Sequence, residues 1–172
     1  MWTDVFWKEW RRIYIHSNRS YEQVQRSIVE RCNTDFLPLA VVAFIDGEPV
    51  GTGCLKPQDL AERSELTPWL AGIFVLPKHR RQGIGSQIVR FLEIEAARLG
   101  HSMLYLWTPS AAALYESLGW RVKERITQFE NDVTIMEKIL VEQADAANPH
   151  AFGTFGISPA EQARMPKASG DT

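Results

Sequence analysis

The stretch LPKHRRQGIGSQIV, residues 76–89, constrains the fold of this chain more than any other. An apolar run from Trp69 to Leu76 ends at Pro77, a basic loop follows, and a long amphipathic segment opens at Gly83. The run is apolar throughout, which suits a strand buried on both faces. From Gly83 to Leu99 the residues Ile84, Ile88, Phe91, Leu92 and Leu99 form one helical stripe, and Gly100 is a natural residue to follow its C-terminus. The chain therefore passes from strand to helix through a turn rich in glycine and cations. A helix N-terminus leaves backbone N–H groups unpaired, and the macrodipole adds positive potential there. Gly83 and Gly85 carry no side chain to hold an anion off, and Lys78, Arg80 and Arg81 charge the rim. Such a turn is suited to a phosphate or pyrophosphate.

Around it the pattern predicts helix, helix, hairpin, strand, helix, strand, helix, hairpin. Trp2–Arg12 repeats Val5, Phe6 and Trp10 at helical spacing. Ser20 and Gln23 form a capping-box pattern for a second helix ending near Cys32. Leu37–Ile45, Asp46-Gly47 and VGTGCL read as strand, tight turn, strand. Lys56–Pro68 reads as a polar loop, MLYLW as a buried strand, and Ser110–Leu118 as a short helix closed by Gly119. Trp120–Ile126 and Val133–Leu140 predict a final hairpin around Glu130-Asn131-Asp132. The sum is a mixed α/β fold in one domain, residues 1–140, with strands joined by helical crossovers. Residues 141–172 have few large apolar side chains and no period, and are predicted to be a disordered C-terminal tail, with Phe152 and Phe155 able to dock locally.

Composition narrows the function. A net charge of −2 offers no global field for nucleic acid or an anionic membrane. No apolar run approaches the ~20 residues of a membrane span. The scattered His16, His79, His101 and His150 give no support to a metal site. Cys32 and Cys54 without a secretory leader predict free thiols in a cytoplasmic protein.

Two phosphate motifs fail at residue 88. A Walker loop, G-x-x-x-x-G-K-S/T, needs a second glycine where Ile88 stands. The dinucleotide fingerprint needs a third glycine at the same place and an acidic residue ~20 positions on. The hexapeptide Arg80-Arg81-Gln82-Gly83-Ile84-Gly85 instead resembles the Q/R-x-x-G-x-G/A signature of the GNAT (Gcn5-related N-acetyltransferase) superfamily. LYLWTPSAAALYESLGWRV resembles its second signature, with Ala111, Leu114, Tyr115, Glu116, Gly119 and Trp120 matching and Thr108 where asparagine is common. LTPWLAGIFV and WKEW resemble stretches of small bacterial members.

The resemblance implies a GNAT acyltransferase fold and acetyl-coenzyme A as co-substrate. The backbone of Arg80, Arg81, Gln82, Gly83, Ile84, Gly85 and Ser86 would hold its pyrophosphate. Ile73, Phe74 and Val75 would pair with its pantetheine arm beside a splayed Met103–Trp107 strand, their amides serving as oxyanion contacts, and Thr108 would contact the same arm. Tyr115 would be the general acid on the leaving thiolate; from spacing alone it also fits an apolar face with Ala111, Leu114 and Leu118. The family's first strand has no counterpart ahead of Trp2, so either that edge strand is missing or an upstream segment precedes Met1.

The acceptor implied is an amine, attacking directly in a ternary complex, since no nucleophile stands out. A cationic small molecule is favoured by the carboxylates of Asp59, Glu62 and Glu65, tempered by Lys56 and Arg63 in the same loop. Glu65 is the first candidate for general base, with Glu62 and Asp59 behind it and proton transfer through water as the alternative. A peptide or protein amine, or a non-catalytic acyl-coenzyme A sensor, are the rival readings. Pairing as a homodimer is expected from the family, and a monomer in sedimentation would overturn it.

Overall fold

A computed structural model of the chain describes residues 2–128, 131–140 and 155–159. The helices are α1 (Trp2–His16), α2 (Tyr21–Val29), α3 (Ile84–Arg98) and α4 (Ala112–Ser117). The strands are β1 (Leu39–Ile45), β2 (Glu48–Lys56), β3 (Trp69–Val75), β4 (Met103–Thr108), β5 (Arg121–Gln128), β6 (Asn131–Ile139) and β7 (Phe155–Pro159). They form one sheet in the order β5-β6-β4-β3-β2-β1-β7, with β3 and β4 parallel and the other pairs antiparallel.

Local chemistry sets the boundaries. Ser20 Oγ accepts from Gln23 N–H while Gln23 Oε1 accepts from Ser20 N–H at 2.8 Å, so the capping box starts α2. The hairpin turns at Asp46 and Gly47, both with positive φ. α1 runs past its predicted end to His16 and kinks at Trp10 (φ −111°, ψ 21°). In the last hairpin Gln128 pairs with Asn131, so Asn131 and Asp132 are strand rather than turn.

The sheet is covered on both faces. On one face, Leu39, Val41, Ala43, Leu55, Leu104 and Leu106 pack with Ile84, Ile88 and Leu92 of α3 and with Tyr115 and Trp120. On the other, Phe74 packs beneath Phe6 of α1 and Val24 of α2, while Trp69, Tyr105 and Trp107 pack beneath the loop residues Leu60 and Leu66. α3 rests directly on β2 because Gly51 and Gly53 present no side chain. A Cβ on Gly51 would come within 2.9 Å of both Ile88 Cδ1 and the Phe74 carbonyl oxygen. The Phe74 carbonyl belongs to the sheet and cannot turn away, so Gly51→Val is expected to cost about 2–3 kcal/mol through overpacking. Urea denaturation measures it, and a loss under 0.5 kcal/mol, roughly the scale of an ordinary surface change, would contradict this packing.

β7 changes the reading of the tail. Residues 155–159 pair antiparallel with β1, from Ile45↔Phe155 to Val41↔Pro159. The expectation of a structureless tail is therefore corrected for these five residues, and the edge expected to lack a strand is occupied from the C-terminal side. The segment has no clear period because a five-residue edge strand needs little more than backbone bonds to its neighbour. The other tail residues, Phe152 among them, lie outside the described residues.

Candidate active site

β3 and β4 meet in a single pair, Trp69 with Tyr105, supported by Tyr105 N–H donating to the Pro68 carbonyl at 3.0 Å. Beyond that point the two strands diverge. A bulge in β3 accompanies the divergence. Thr52 pairs with Phe74 and Cys54 with Ala71, so Gly72 and Ile73 together oppose Gly53. The bulge also reverses the alternation of side chains. Trp69 faces the loop side, whereas Ile73 and Val75 pack toward α3 and Phe74 toward α1. Ile73, Phe74 and Val75 are thus core side chains whose backbone edges a widening gap.

The gap leads to the α3 N-terminus. Gly83 is the N-cap residue with φ +79°, no side chain caps the helix, and Gln87 N–H donates to the Gly83 carbonyl at 3.0 Å. A Cβ on Gly83 would find nothing nearer than Gln87 Nε2 at 4.0 Å, so the space over the turn is open. Arg81 also has positive φ, +62°. Arg80 does something the sequence did not suggest. Its Nε–H donates to the Val75 carbonyl at 2.9 Å, its guanidinium lies 5.5 Å from the Phe74 ring centroid, and Nη2 is 3.6 Å from Glu9 Oε1. That side chain ties the strand end to α1, so Arg80 can serve an anion through its backbone while Arg81 keeps its charge at the rim. Open first-turn amides, a left-handed glycine and a bare approach fit a pyrophosphate.

Tyr115 lies on the far side of the gap. Its residue is 8% exposed, its ring meets Trp120 edge-on at 6.0 Å, and burial pushes its hydroxyl up to about 12. That hydroxyl has no hydrogen-bond partner among the described residues. No side-chain N or O sealed from solvent there lacks one, so the hydroxyl reaches the accessible margin of its pocket. Its support is dense. Trp120 Nε1–H donates to Glu93 of α3 at 2.8 Å, and Lys138 bridges Glu93 and the Leu118 carbonyl. Thr108 also shapes the chain locally. Its Oγ1 accepts from Ala111 N–H at 2.9 Å, turning the chain from β4 into α4. That bond uses the hydroxyl as an acceptor and leaves its O–H as a donor.

The loop carboxylates differ in their surroundings. Glu65 is exposed and makes no hydrogen bond among the described residues. Glu62 is exposed and takes a long 3.4 Å contact from Gln128. Asp59 is the enclosed one, with its side chain 16% exposed. One oxygen pairs with Lys56 of β2, and the other accepts from Trp107 Nε1 of β4 at 2.8 Å. Asp59 thereby bridges the loop side of the sheet beside the β3–β4 gap. Its Trp107 partner is 48 residues away, which is why sequence spacing ranked it last. Sequence reasoning also missed Arg31, whose side chain reaches Cys54 on β2.

Burial raises the Cys54 thiol, which suits a packed thiol rather than a nucleophile. Among the described residues no helix is long and apolar enough to cross a membrane.

This geometry has relatives. No curated protein matches the chain. Among solved structures, an aminoglycoside 6'-N-acetyltransferase complexed with coenzyme A is 19% identical, with a TM-score of 0.62 over 83% of this chain and 91% of that one. An aminoglycoside 6'-acetyltransferase type Ii is 25% identical, with a TM-score of 0.61 over 81% and 87%. A Salmonella typhimurium protein solved with its cofactor acetyl-CoA is 21% identical, with a TM-score of 0.53 over 74% and 76%. Residues 1–120 match the Acetyltransferase (GNAT) family, and with the divergent strands and the glycine turn already described, the chain belongs to that family of acetyltransferases.

Proposed function

We propose that the protein transfers an acetyl group from acetyl-coenzyme A to the amine of a small molecule. The observation that carries this is the divergence of β3 and β4 after one pair, with the open Gly83 turn at α3 and the buried Tyr115 beside β4. The backbone from Arg80 to Ser86 would hold the pyrophosphate. The β3 edge at Ile73, Phe74 and Val75 would pair with the pantetheine arm and stabilise charge on the thioester oxygen.

The acceptor would enter between the helix pair and the loop 56–68, on the face opposite α3. Its nitrogen forms the new C–N bond as the C–S bond breaks. The ammonium proton goes to Asp59, directly or through water, and the coenzyme A thiolate takes a proton from Tyr115. Asp59 takes the role first given to Glu65, because Glu65 is exposed to solvent while Asp59 is enclosed beside the gap. Asp59→Asn is expected to lower kcat/KM by ~10²-fold, the usual scale for a general base, and Glu65→Gln by less than about twofold. Steady-state rates with a reactive amine decide it, and the reverse ranking returns the role to Glu65.

The test of the whole reading is calorimetric titration with acetyl-coenzyme A, followed by a thiol-release assay across amines. Binding with amine-dependent release supports it. Absence of binding sinks it.

A further inference from the structure

Arg31 is a cation with an unusual set of neighbours. It follows α2, and its carbonyl accepts from Ala40 N–H at 2.8 Å, which pins the residue to the start of β1. Its side chain runs inward over the sheet. Nη1 donates to Cys54 Sγ at 3.6 Å and Nη2 to Ser27 Oγ at 3.4 Å. Both acceptors are neutral, and both contacts are long. A guanidinium carries five N–H donors, and one drawn into a protein is ordinarily paired with a carboxylate. Among the described residues, none lies within ion-pair distance of Arg31.

Its place is beside the β3 bulge. A Cβ on Gly72, at the β3 bulge, would lie 4.0 Å from Arg31 Nη1 and 3.4 Å from Cys54 Sγ. The bare backbone of the bulge thus leaves room beside the guanidinium. Asp59 lies near the same stretch of β2. Its Lys56 partner is two positions along β2 from Cys54, on the same face. Tyr14, from α1, is half-buried, and burial holds its hydroxyl above the usual tyrosine range. Near the bulge there are thus a guanidinium with no carboxylate partner among the described residues and an enclosed carboxylate, Asp59.

We propose that Arg31 binds a carboxylate of the acceptor, so that the substrate is an amino acid or a close amino-carboxylate analogue. The acceptor's ammonium lies toward Asp59 and its carboxylate toward Arg31. This rests on the acetyl-transfer reading above and adds the acceptor class to it. An aminoglycoside, with many ammonium groups and no carboxylate, would meet Arg31 as a repulsive group.

The test uses matched pairs of amine differing only in the carboxylate: alanine with ethylamine, leucine with isopentylamine, phenylalanine with phenethylamine. For at least one pair, kcat/KM is expected to favour the amino acid by ~10–100-fold, the range of a charge-assisted hydrogen bond. In Arg31→Gln that ratio is expected to collapse toward one, with Arg31→Lys restoring part of it. A structural role would lower both members of a pair together and leave the ratio standing. Calorimetry with N-acetylleucine and N-isopentylacetamide, with and without coenzyme A, reads the same subsite without turnover. Carboxylate-dependent binding that Arg31→Gln abolishes supports the proposal even if no amine is acetylated, a result that would count against the transfer reading alone. A ratio near one for every pair, an unchanged ratio in Arg31→Gln, or no binding of either acetylated compound overturns it.

Discussion

Gly83→Val is expected to weaken acetyl-coenzyme A binding by at least ~100-fold, while Gly100→Val leaves it within about threefold. The two glycines make a controlled comparison because they stand at opposite ends of α3 with nearly the same backbone. Gly83 has φ +79° and Gly100 has φ +85°, and neither has a heavy atom closer than 4 Å to the site a Cβ would take. A β-branched residue is strained in that region, by roughly 1–2 kcal/mol, so both variants should lose similar stability. Only at Gly83 does the new side chain stand over the unpaired amides and occupy the approach of the pyrophosphate. Losing the charge-assisted bonds to two amides, at about 1.5–3 kcal/mol each, accounts for the expected factor. Calorimetry on both variants, with their thermal midpoints, measures it. Equal affinities would remove the pyrophosphate from this turn.

Tyr115→Phe is expected to reduce turnover by ~10²-fold or more with acetyl-coenzyme A affinity nearly intact, and without loss of stability. The last clause sets it apart from an ordinary core substitution. The Tyr115 hydroxyl makes no hydrogen bond among the described residues, and the ring is packed against Trp120. Phenylalanine keeps that packing and removes a polar group that folding has partly dehydrated, a change that is neutral or stabilising. The sign of its pH behaviour follows from the same burial. The folded value is raised to about 12 from an unfolded value of 10.0, so the neutral form is the one that folding favours. The associated stability is present below pH ~10 and lost as pH rises through ~12. Throughout the neutral range Tyr115 stays a protonated acid. It can give its proton to a thiolate only where that thiolate is also desolvated and its own pKa raised. Parallel losses in turnover and affinity would make the residue structural.

The elements carried by strong local signals were legible in the sequence. The stripe of α3, the Ser20–Gln23 capping box and the Asp46-Gly47 turn each depend on residues within a few positions of one another. The glycine turn was legible for the same reason. What escaped were arrangements fixed by distant partners. The bulge at Gly72 reverses the facing of Ile73 and Phe74, and its cause lies in pairing with β2. Arg80 was read as a charge for the anion, yet its donors go to Val75 and its charge toward Glu9. Asp59 was ranked below Glu65 because only the fold brings Trp107 to it.

The pairing of β7 with β1 also orders events during synthesis. β1 ends at Ile45 and its outer neighbour begins at Phe155, so at usual translation rates the ribosome adds that neighbour roughly 5–20 s later. The residues proposed to hold the pyrophosphate and to act as the acid are made in that interval. The nascent chain thus carries the whole candidate site while one margin of its sheet is still without its last strand.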